Sequence, residues 1–130
     1  MTTKTKKTMI KDKVYHFNDN DVCVDYDIPV RITTPQCGCK VTIAKDRGSW
    51  VYGLELSCID TLMGGPCSRN EHASRYKTSR DAVFAALRGA QAFFHHQNEV
   101  YGGYKKHIIN PMLAHIARNL VDYSTPSLFD

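Results

Sequence analysis

The sequence predicts an α+β domain in which an antiparallel β-meander of about three to five strands packs against one or two C-terminal α-helices. Two observations predict this class. Apolar and polar residues alternate along 27–34, 39–45 and 50–58, which is the period of a half-buried β-strand. From residue 78 onward the apolar residues change to the spacing of one helix face. Short turns join the strand segments, which favours an antiparallel order.

The length and the composition of the chain indicate one domain. The chain has 130 residues, of which 42% are hydrophobic and 23% charged, an ordinary balance for a globular protein. We assign residues 1–13 to a basic flexible N-terminal arm, residues 14–123 to a single α+β domain and residues 124–130 to a tail.

Hydropathy and cysteine content bear on the compartment. The chain has no run of about 18 apolar residues, so no membrane-spanning helix is expected. Its lysine-rich start lacks the apolar stretch of a secretory signal. The five cysteines are an odd number, and without a secretory signal they are expected to be reduced thiols in a cytoplasm.

The first predicted hairpin surrounds a turn rich in Asn and Asp. Residues 14–17 are predicted to form a short strand and residues 22–26 its return. Asn and Asp at 18–21 favour the turn because they tolerate left-handed backbone. In the next strand Pro29 has no N–H to donate, which predicts a strand at the edge of the sheet.

The strand predicted at 50–58 has one strongly apolar face, which we expect to pack on a helix. That face carries Trp50, Tyr52, Leu54, Leu56 and Cys58. The residues that follow, 59–77, are predicted to form a long polar loop.

A capping box predicts where the first helix begins. Thr78 can accept a hydrogen bond from the backbone N–H of Asp81, whose carboxylate also suits the start of a helix. The apolar stripe of this helix is Val83, Ala86, Leu87, Ala90, Phe93 and Phe94. The stretch Tyr-Gly-Gly-Tyr at 101–104 is predicted to break the chain.

A second helix is predicted to start at Asn110 and Pro111. Asn110 is a plausible N-cap, and proline suits the first helical position because its missing N–H would be unpaired there. Residues 105–109 form an earlier turn that can join this helix across a kink.

Cysteines and a histidine around a Gly-Gly-Pro turn supply one candidate metal site. Zinc prefers four thiolate, imidazole or carboxylate ligands in a tetrahedron. The candidate ligands are Cys37, Cys39, Cys58, Cys67 and His72. No Cys-x2-Cys pair of a zinc ribbon is present, and we expect the thiols of Cys37 and Cys39 to point to opposite sides. Zinc is therefore an alternative, and the expectation is ordinary packed thiols and no cofactor.

A cysteine enzyme is a further alternative. Cys67 is expected in an exposed loop, where Arg69, His72 and Arg75 would lower the pKa of its thiol. However, nothing in a loop fixes His72 as the base that a cysteine nucleophile needs. The sequence also has no Walker A loop, HExxH, GxSxG or dinucleotide-binding motif. We therefore expect that the protein is not an enzyme.

Charged residues form two candidate binding groups in a chain of net charge +4. The acidic group is Asp21, Asp25 and Asp27. Such alternating carboxylates can imitate a row of phosphates in an arginine-rich groove, or they can keep an edge strand from pairing. The basic group is Arg69, Arg75, Tyr76, Lys77 and Arg80. Its cations can meet phosphates and its tyrosine can stack on a base, or the group is a solvated rim.

Together these observations favour a non-enzymatic cytoplasmic interaction protein. It would bind a protein or ribonucleoprotein partner by charge complementarity, as a monomer or a homodimer. Its size, its α+β plan and its lack of catalytic motifs resemble small accessory proteins of phages and mobile elements. That resemblance implies an anti-CRISPR-like inhibitor of host defence. The alternative is a zinc-stabilised nucleic-acid-binding domain, and a Cys67 thiol enzyme is a third hypothesis.

Overall fold

The computed structural model of the protein describes residues 13–124 and shows a four-stranded antiparallel sheet followed by two helices. The strands lie in the order β1-β2-β3-β4, so the sheet is a simple meander. The α+β class and the meander packed against C-terminal helices are therefore confirmed. The elements are β1 (Asp27–Thr34), β2 (Cys37–Asp46), β3 (Ser49–Cys58), β4 (Thr61–Gly65), α1 (Ser79–Val100) and α2 (Lys106–Ser124).

The segment before β1 forms a turn with single bridges instead of a regular hairpin. The backbone N–H of Asn18 donates to the carbonyl of Val22 at 2.9 Å, and Asp21 has a φ of 63°. This agrees with the predicted turn at 18–21. The flanking residues make only a bridge between Phe17 and Cys23, because Val22 already bridges Ser68 in the chain that follows β4.

Strand β1 lies at one edge of the sheet, as Pro29 predicts. Its pairing with β2 is interrupted by a register shift between Asp27 and Val30, which lets the proline sit where no ladder bond is needed. Beyond the shift Val30 and Ile32 point into the core and are buried.

Strands β2 and β3 form a long hairpin closed by a two-residue turn. Arg47 and Gly48 both have positive φ, 55° and 82°, as a type I′ turn requires. The predicted apolar face of β3 does face the helices: Leu56 and Cys58 are buried there, and Trp50, Tyr52 and Leu54 pack against the same cluster.

Strand β4 corrects the prediction of a loop over the whole of 59–77. Ile59, at a φ of 56°, donates its N–H to the carbonyl of Gln36 at 2.9 Å, and the chain reverses so that Thr61 pairs with Cys58. The sequence hides this strand because its apolar residues, Leu62 and Met63, are both exposed and adjacent and so show no alternation.

Helix α1 begins as the capping box predicts. Thr78 has extended backbone, and its Oγ1 accepts the N–H of Asp81 at 3.1 Å. The helix packs on the inner face of β2 and β3 through its buried residues. These are Ala82, Val83, Ala86, Leu87, Ala90, Phe94 and Gln97.

Helix α2 begins at Lys106, so the prediction of a start at Asn110 and Pro111 is wrong. Ile109 is fully buried in the core, which draws the preceding turn into the helix. The side chain of Asn110 does not cap: its Oδ1 accepts a hydrogen bond at 3.0 Å from Asn98 of α1. Pro111 lies inside the helix, where it removes one backbone hydrogen bond.

The helices cover one face of the sheet, and the main core lies between the two layers. Of the helices in the described part of the chain, none combines the length and the hydropathy needed to span a membrane.

Candidate binding surface

Within residues 13–124, the outer face of the sheet, opposite the helices, is covered at one end only. There a second apolar cluster joins Ala44 and Val51 of the sheet to Cys23 and Cys67. The chain before β1 and the chain after β4 meet in this cover, since the N–H of Cys23 donates to the carbonyl of Cys67 at 2.9 Å. The chain at Cys67 can lie close to the sheet because Gly53, which is beneath it, has no side chain.

At the other end the outer face is open and forms a groove of about 540 Å³ that crosses all four strands. The strand register places its outward side chains in two rows. One row across the sheet is Arg31, Lys40, Glu55 and Gly64, and the next is Thr33, Gly38, Ser57 and Leu62. We call this surface the open groove.

The first row carries the charges of the open groove. Nζ of Lys40 lies 3.3 Å from Oε2 of Glu55 and 3.3 Å from the hydroxyl of Tyr26. Bonding to Tyr26, and then to Glu55, raises the pKa of Lys40 above its usual value. Oε2 of Glu55 is shielded from solvent and receives no well-aligned hydrogen bond from a described residue. Its interaction with Lys40 is therefore an ion pair without a hydrogen bond.

Arg31 stands beside this pair without a counter-ion. It is exposed, it lies directly opposite Lys40 in the β1–β2 register, and no described residue is paired with its guanidinium. Like charges that face each other across two strands are unfavourable. The open groove therefore has an unneutralised positive charge at its β1 end.

The second row gives the open groove a shallow, partly apolar floor. Gly38 has no side chain, and a Cβ there would come within 2.9 Å of the hydroxyl of Ser57. At the β4 end Leu62, in this row, is 82% exposed, whereas Met63 lies opposite Leu56 and so belongs to the helix side of the sheet. The open groove therefore ends in one exposed apolar side chain beside a polar floor.

The two edges of the sheet also differ. The β1 edge carries Pro29, an irregular register and the charged Arg31, all features that discourage another strand from pairing. The β4 edge has no charge and no proline within Thr61–Gly65. The open groove therefore ends, on its β4 side, at a sheet edge without these features.

The acidic residues predicted to bind a partner are all engaged within the protein. Oδ1 of Asp21 lies 3.1 Å from Nε of Arg69. Oδ2 of Asp25 lies 2.7 Å from Nδ1 of His16, and this contact, with the backbone N–H of His16, lowers the pKa of Asp25 to about 2. Asp27 pairs with Lys13 at 2.8 Å and accepts a hydrogen bond from the hydroxyl of Tyr15.

The predicted basic residues are also largely engaged. Nη2 of Arg75 donates to the nearly buried carboxylate of Asp46 at 2.9 Å, and Arg69 approaches the same carboxylate at 3.9 Å. Arg80 donates to the carbonyl of Asp122 at 2.8 Å.

Tyr76 and Lys77 complete the predicted basic group. Tyr76 exchanges backbone hydrogen bonds of 2.7 and 2.9 Å with Trp50, and its ring lies 6.0 Å from that of Tyr52. Lys77 is exposed. Most residues of the predicted acidic and basic groups therefore contact other residues of the protein.

The candidate zinc ligands do not converge. Cys37 lies directly opposite Cys58 in the β2–β3 register, whereas Cys67 lies against Cys23 on the other face of the sheet. His72 is 88% exposed and lies beside Glu71. Within residues 13–124 no three His, Cys, Asp or Glu side chains are grouped so that they could hold a metal ion.

Two expectations about individual thiols are wrong. Cys37 and Cys39 point to the same face, because side chains two residues apart on a strand share a face. Cys67 is fully buried instead of exposed, and its N–H donates to Oγ1 of Thr42 at 2.9 Å. Burial raises the pKa of the Cys67 thiol to about 12, which is opposite to the expected direction.

None of the residues of the open groove is among the candidate site residues predicted from the sequence. Alternation does predict that Arg31, Glu55 and Ser57 lie on the polar face of their strands. Only the strand register shows that Arg31 and Lys40 lie side by side. No protein-family model, curated protein or solved structure matches this chain.

Proposed function

We propose that this protein is a non-enzymatic interaction protein that binds a partner protein through the open groove. The observation that carries the proposal is the half-covered outer face of the sheet. One end is sealed by the cluster around Cys67, while the other end leaves Leu62 and an unpaired Arg31 exposed. Keeping the apolar side chain of Leu62 in water has a cost that a binding partner would remove.

The open groove supports this function better than the acidic group does. The carboxylates of Asp21, Asp25 and Asp27 each have a partner within the protein, so a binding partner would have to displace it. Arg31 has no such partner among the described residues. Binding by charge complementarity, which the sequence suggests for the acidic group, is thus better supported for Arg31 of the open groove.

The proposal is tested by affinity capture followed by binding measurements on the captured partner. Leu62→Asp places a charge at the apolar end of the open groove, and Val100→Asp makes the same change at another exposed position, 61% exposed on α1. We expect the partner to bind the Val100→Asp protein normally and to bind the Leu62→Asp protein at least about tenfold more weakly. Equal binding to both variants would refute the proposal.

Inhibition of host defence is the narrower form of this hypothesis. It rests on the resemblance to small accessory proteins of phages and mobile elements, and it would make the partner a CRISPR-type nuclease complex. Its test is target cleavage by purified effector complexes with and without this protein. Loss of cleavage that depends on Leu62 would support it, and unimpaired cleavage by every complex tested would count against it.

Nucleic-acid binding is a second candidate, favoured by a separate basic cleft of about 270 Å³ beside the β2–β3 turn. Lys45 and Arg47 are exposed there, and the cleft also contains Tyr15 and Phe17. Fluorescence anisotropy with a labelled single-stranded oligonucleotide tests this candidate. Binding should weaken as salt increases and on Lys45→Glu, if phosphates are neutralised there.

Zinc is tested separately by native mass spectrometry before and after a chelator.

A further inference from the structure

We propose that the open groove binds an extended acidic segment of the partner protein, with a carboxylate at Arg31 and an apolar side chain at Leu62. This inference rests on the proposed function and names the chemistry of its partner.

The position of the carboxylate follows from the arrangement of charges. Arg31 and Lys40 face each other across β1 and β2, and the charge of Lys40 is already balanced by Glu55 at 3.3 Å. An incoming carboxylate would relieve the repulsion between Arg31 and Lys40, whereas over β3 it would meet Glu55. The carboxylate is therefore placed at the β1 end, where a guanidinium can bind it with two parallel hydrogen bonds.

The floor of the groove offers hydroxyl groups to a peptide backbone. Gly38 lies between Thr33 and Ser57 in the second row and has no side chain, so that Oγ of Ser57 lies close over it. The register puts the side chains of Thr33 and Ser57 on the groove face, and a hydroxyl can both donate to a carbonyl and accept from an N–H. These hydroxyls can form hydrogen bonds with the backbone N–H and C=O groups of a peptide that runs across the strands.

The spacing of the two anchors follows from the sheet. Leu62 on β4 is three strands from Arg31 on β1 and lies in the next row, two residues along. At about 4.8 Å per strand and about 3.3 Å per residue, their Cα atoms are about 16 Å apart. An extended chain advances about 3.3 Å per residue, so about four to five residues cover this distance. The partner segment should carry an apolar and an acidic residue about four to five positions apart.

A polynucleotide is a poorer occupant of this groove. Single strands bind where aromatic side chains stack on successive bases. The described residues that line the groove include no Phe, Tyr or Trp, and Glu55 adds a carboxylate to them. Tyr26 contacts Lys40 through its hydroxyl, but one ring is not a row on which successive bases could stack. An acidic peptide meets Glu55 only where its own side chains are apolar or small.

The test is selection from a displayed library of random eight-residue peptides with the full-length protein. We expect enrichment of peptides with Asp or Glu about four to five positions from an apolar residue. Synthetic peptides of that kind should bind the Arg31→Gln and Arg31→Glu variants about tenfold more weakly or worse. The matched variant Arg88→Glu, at another exposed arginine, on α1, should keep its affinity. Circular dichroism establishes that each variant is folded.

Several outcomes would overturn the inference. They are no enrichment, enrichment of peptides without acidic residues, equal affinity for the Arg31 variants, and displacement of the peptide by an oligonucleotide. The proposed function would fail differently. If a captured partner depends on Leu62 but not on Arg31, the open groove remains a binding site and only the acidic character of its ligand is wrong.

Discussion

Nε of Arg69 lies 3.1 Å from Oδ1 of Asp21, which joins the acidic stretch before β1 to the basic stretch after β4. The backbone supports the same contact, since the N–H of Arg69 donates to the carbonyl of Asp21 at 2.8 Å. Two stretches that the sequence presents as opposite poles are thus partners of each other. This contact joins the two parts of the cover on one end of the sheet, and the other end is the surface that we propose for binding.

The carboxylate of Asp46 is the centre of that charge network, and its removal should destabilise the fold. Asp46 is only 7% exposed and accepts from Arg75 at 2.9 Å. We expect Asp46→Asn to lower the free energy of unfolding by about 1–3 kcal/mol, because Arg75 loses a charged acceptor. Urea denaturation measures the change. Asp19→Asn, in the exposed turn, is the control and should change stability by less than about 0.5 kcal/mol.

Gly53 allows the chain after β4 to lie on the sheet, and it should not tolerate a side chain. A Cβ at Gly53 would lie 2.2 Å from the backbone N of Cys67 and 2.5 Å from Oγ1 of Thr42. We expect Gly53→Ala to cost at least about 3 kcal/mol of stability. In the control Gly65→Ala the added Cβ would meet nothing within 4 Å, so its melting temperature should stay near that of the wild type. Similar melting temperatures for the two variants would contradict the packing described.

The buried thiols should make the fold sensitive to alkali. Burial raises the pKa of Cys39 to about 11 and those of Cys58 and Cys67 to about 12, from 9.0. These thiols ionise first in the unfolded chain. Their contribution to stability is therefore complete below pH 9 and is lost as the pH rises towards 11–12.

A single variant isolates this effect. Cys39→Ala removes one of these groups, so the loss of stability with pH above 9 should become less steep, by up to about 1.4 kcal/mol per pH unit. Urea titrations between pH 8 and pH 11 measure the slope. Val83→Ala also shortens a core side chain but removes no titratable group, so its slope should equal that of the wild type. An unchanged slope in Cys39→Ala would show that this thiol does not titrate as described.

The same burial should keep the thiols unreactive in the native state. All five cysteines are buried. We expect iodoacetamide at pH 7.5 to modify each of them slowly, and all five rapidly once urea unfolds the chain. Mass spectrometry of digested samples gives the rate for each residue. Fast and selective modification of Cys67 would instead revive the hypothesis of a thiol enzyme.

His16 should control the titration of Asp25. The pKa of Asp25 is about 2 instead of 3.8, because the side chain and the backbone N–H of His16 both contact its carboxylate. The stability from this contact is present above pH 3.8 and is lost as the pH falls towards 2. In His16→Ala the pKa should rise part of the way to 3.8, since the backbone N–H remains. Carboxyl carbon NMR measures it, with His72→Ala as the control that leaves Asp25 unchanged.

The sequence by itself determined the elements whose signals are local. Alternation defined β1, β2 and β3, a single capping box placed the start of α1, and Pro29 put β1 at an edge. Each of these signals acts within a few residues. The sequence failed where a contact with another element decided the outcome, as for Asn110, whose side chain bonds to α1 instead of capping α2.

Only the tertiary structure decided which charged residues are available for binding. Asp21 and Arg69 are 48 residues apart, and their pairing depends on how the chain before β1 and the chain after β4 cross the sheet. The open groove likewise depends on the register of four strands, one of which has no apolar alternation. The sequence gives the number and the order of the charged residues. Whether each charge has a partner depends on distances between residues that are remote in sequence.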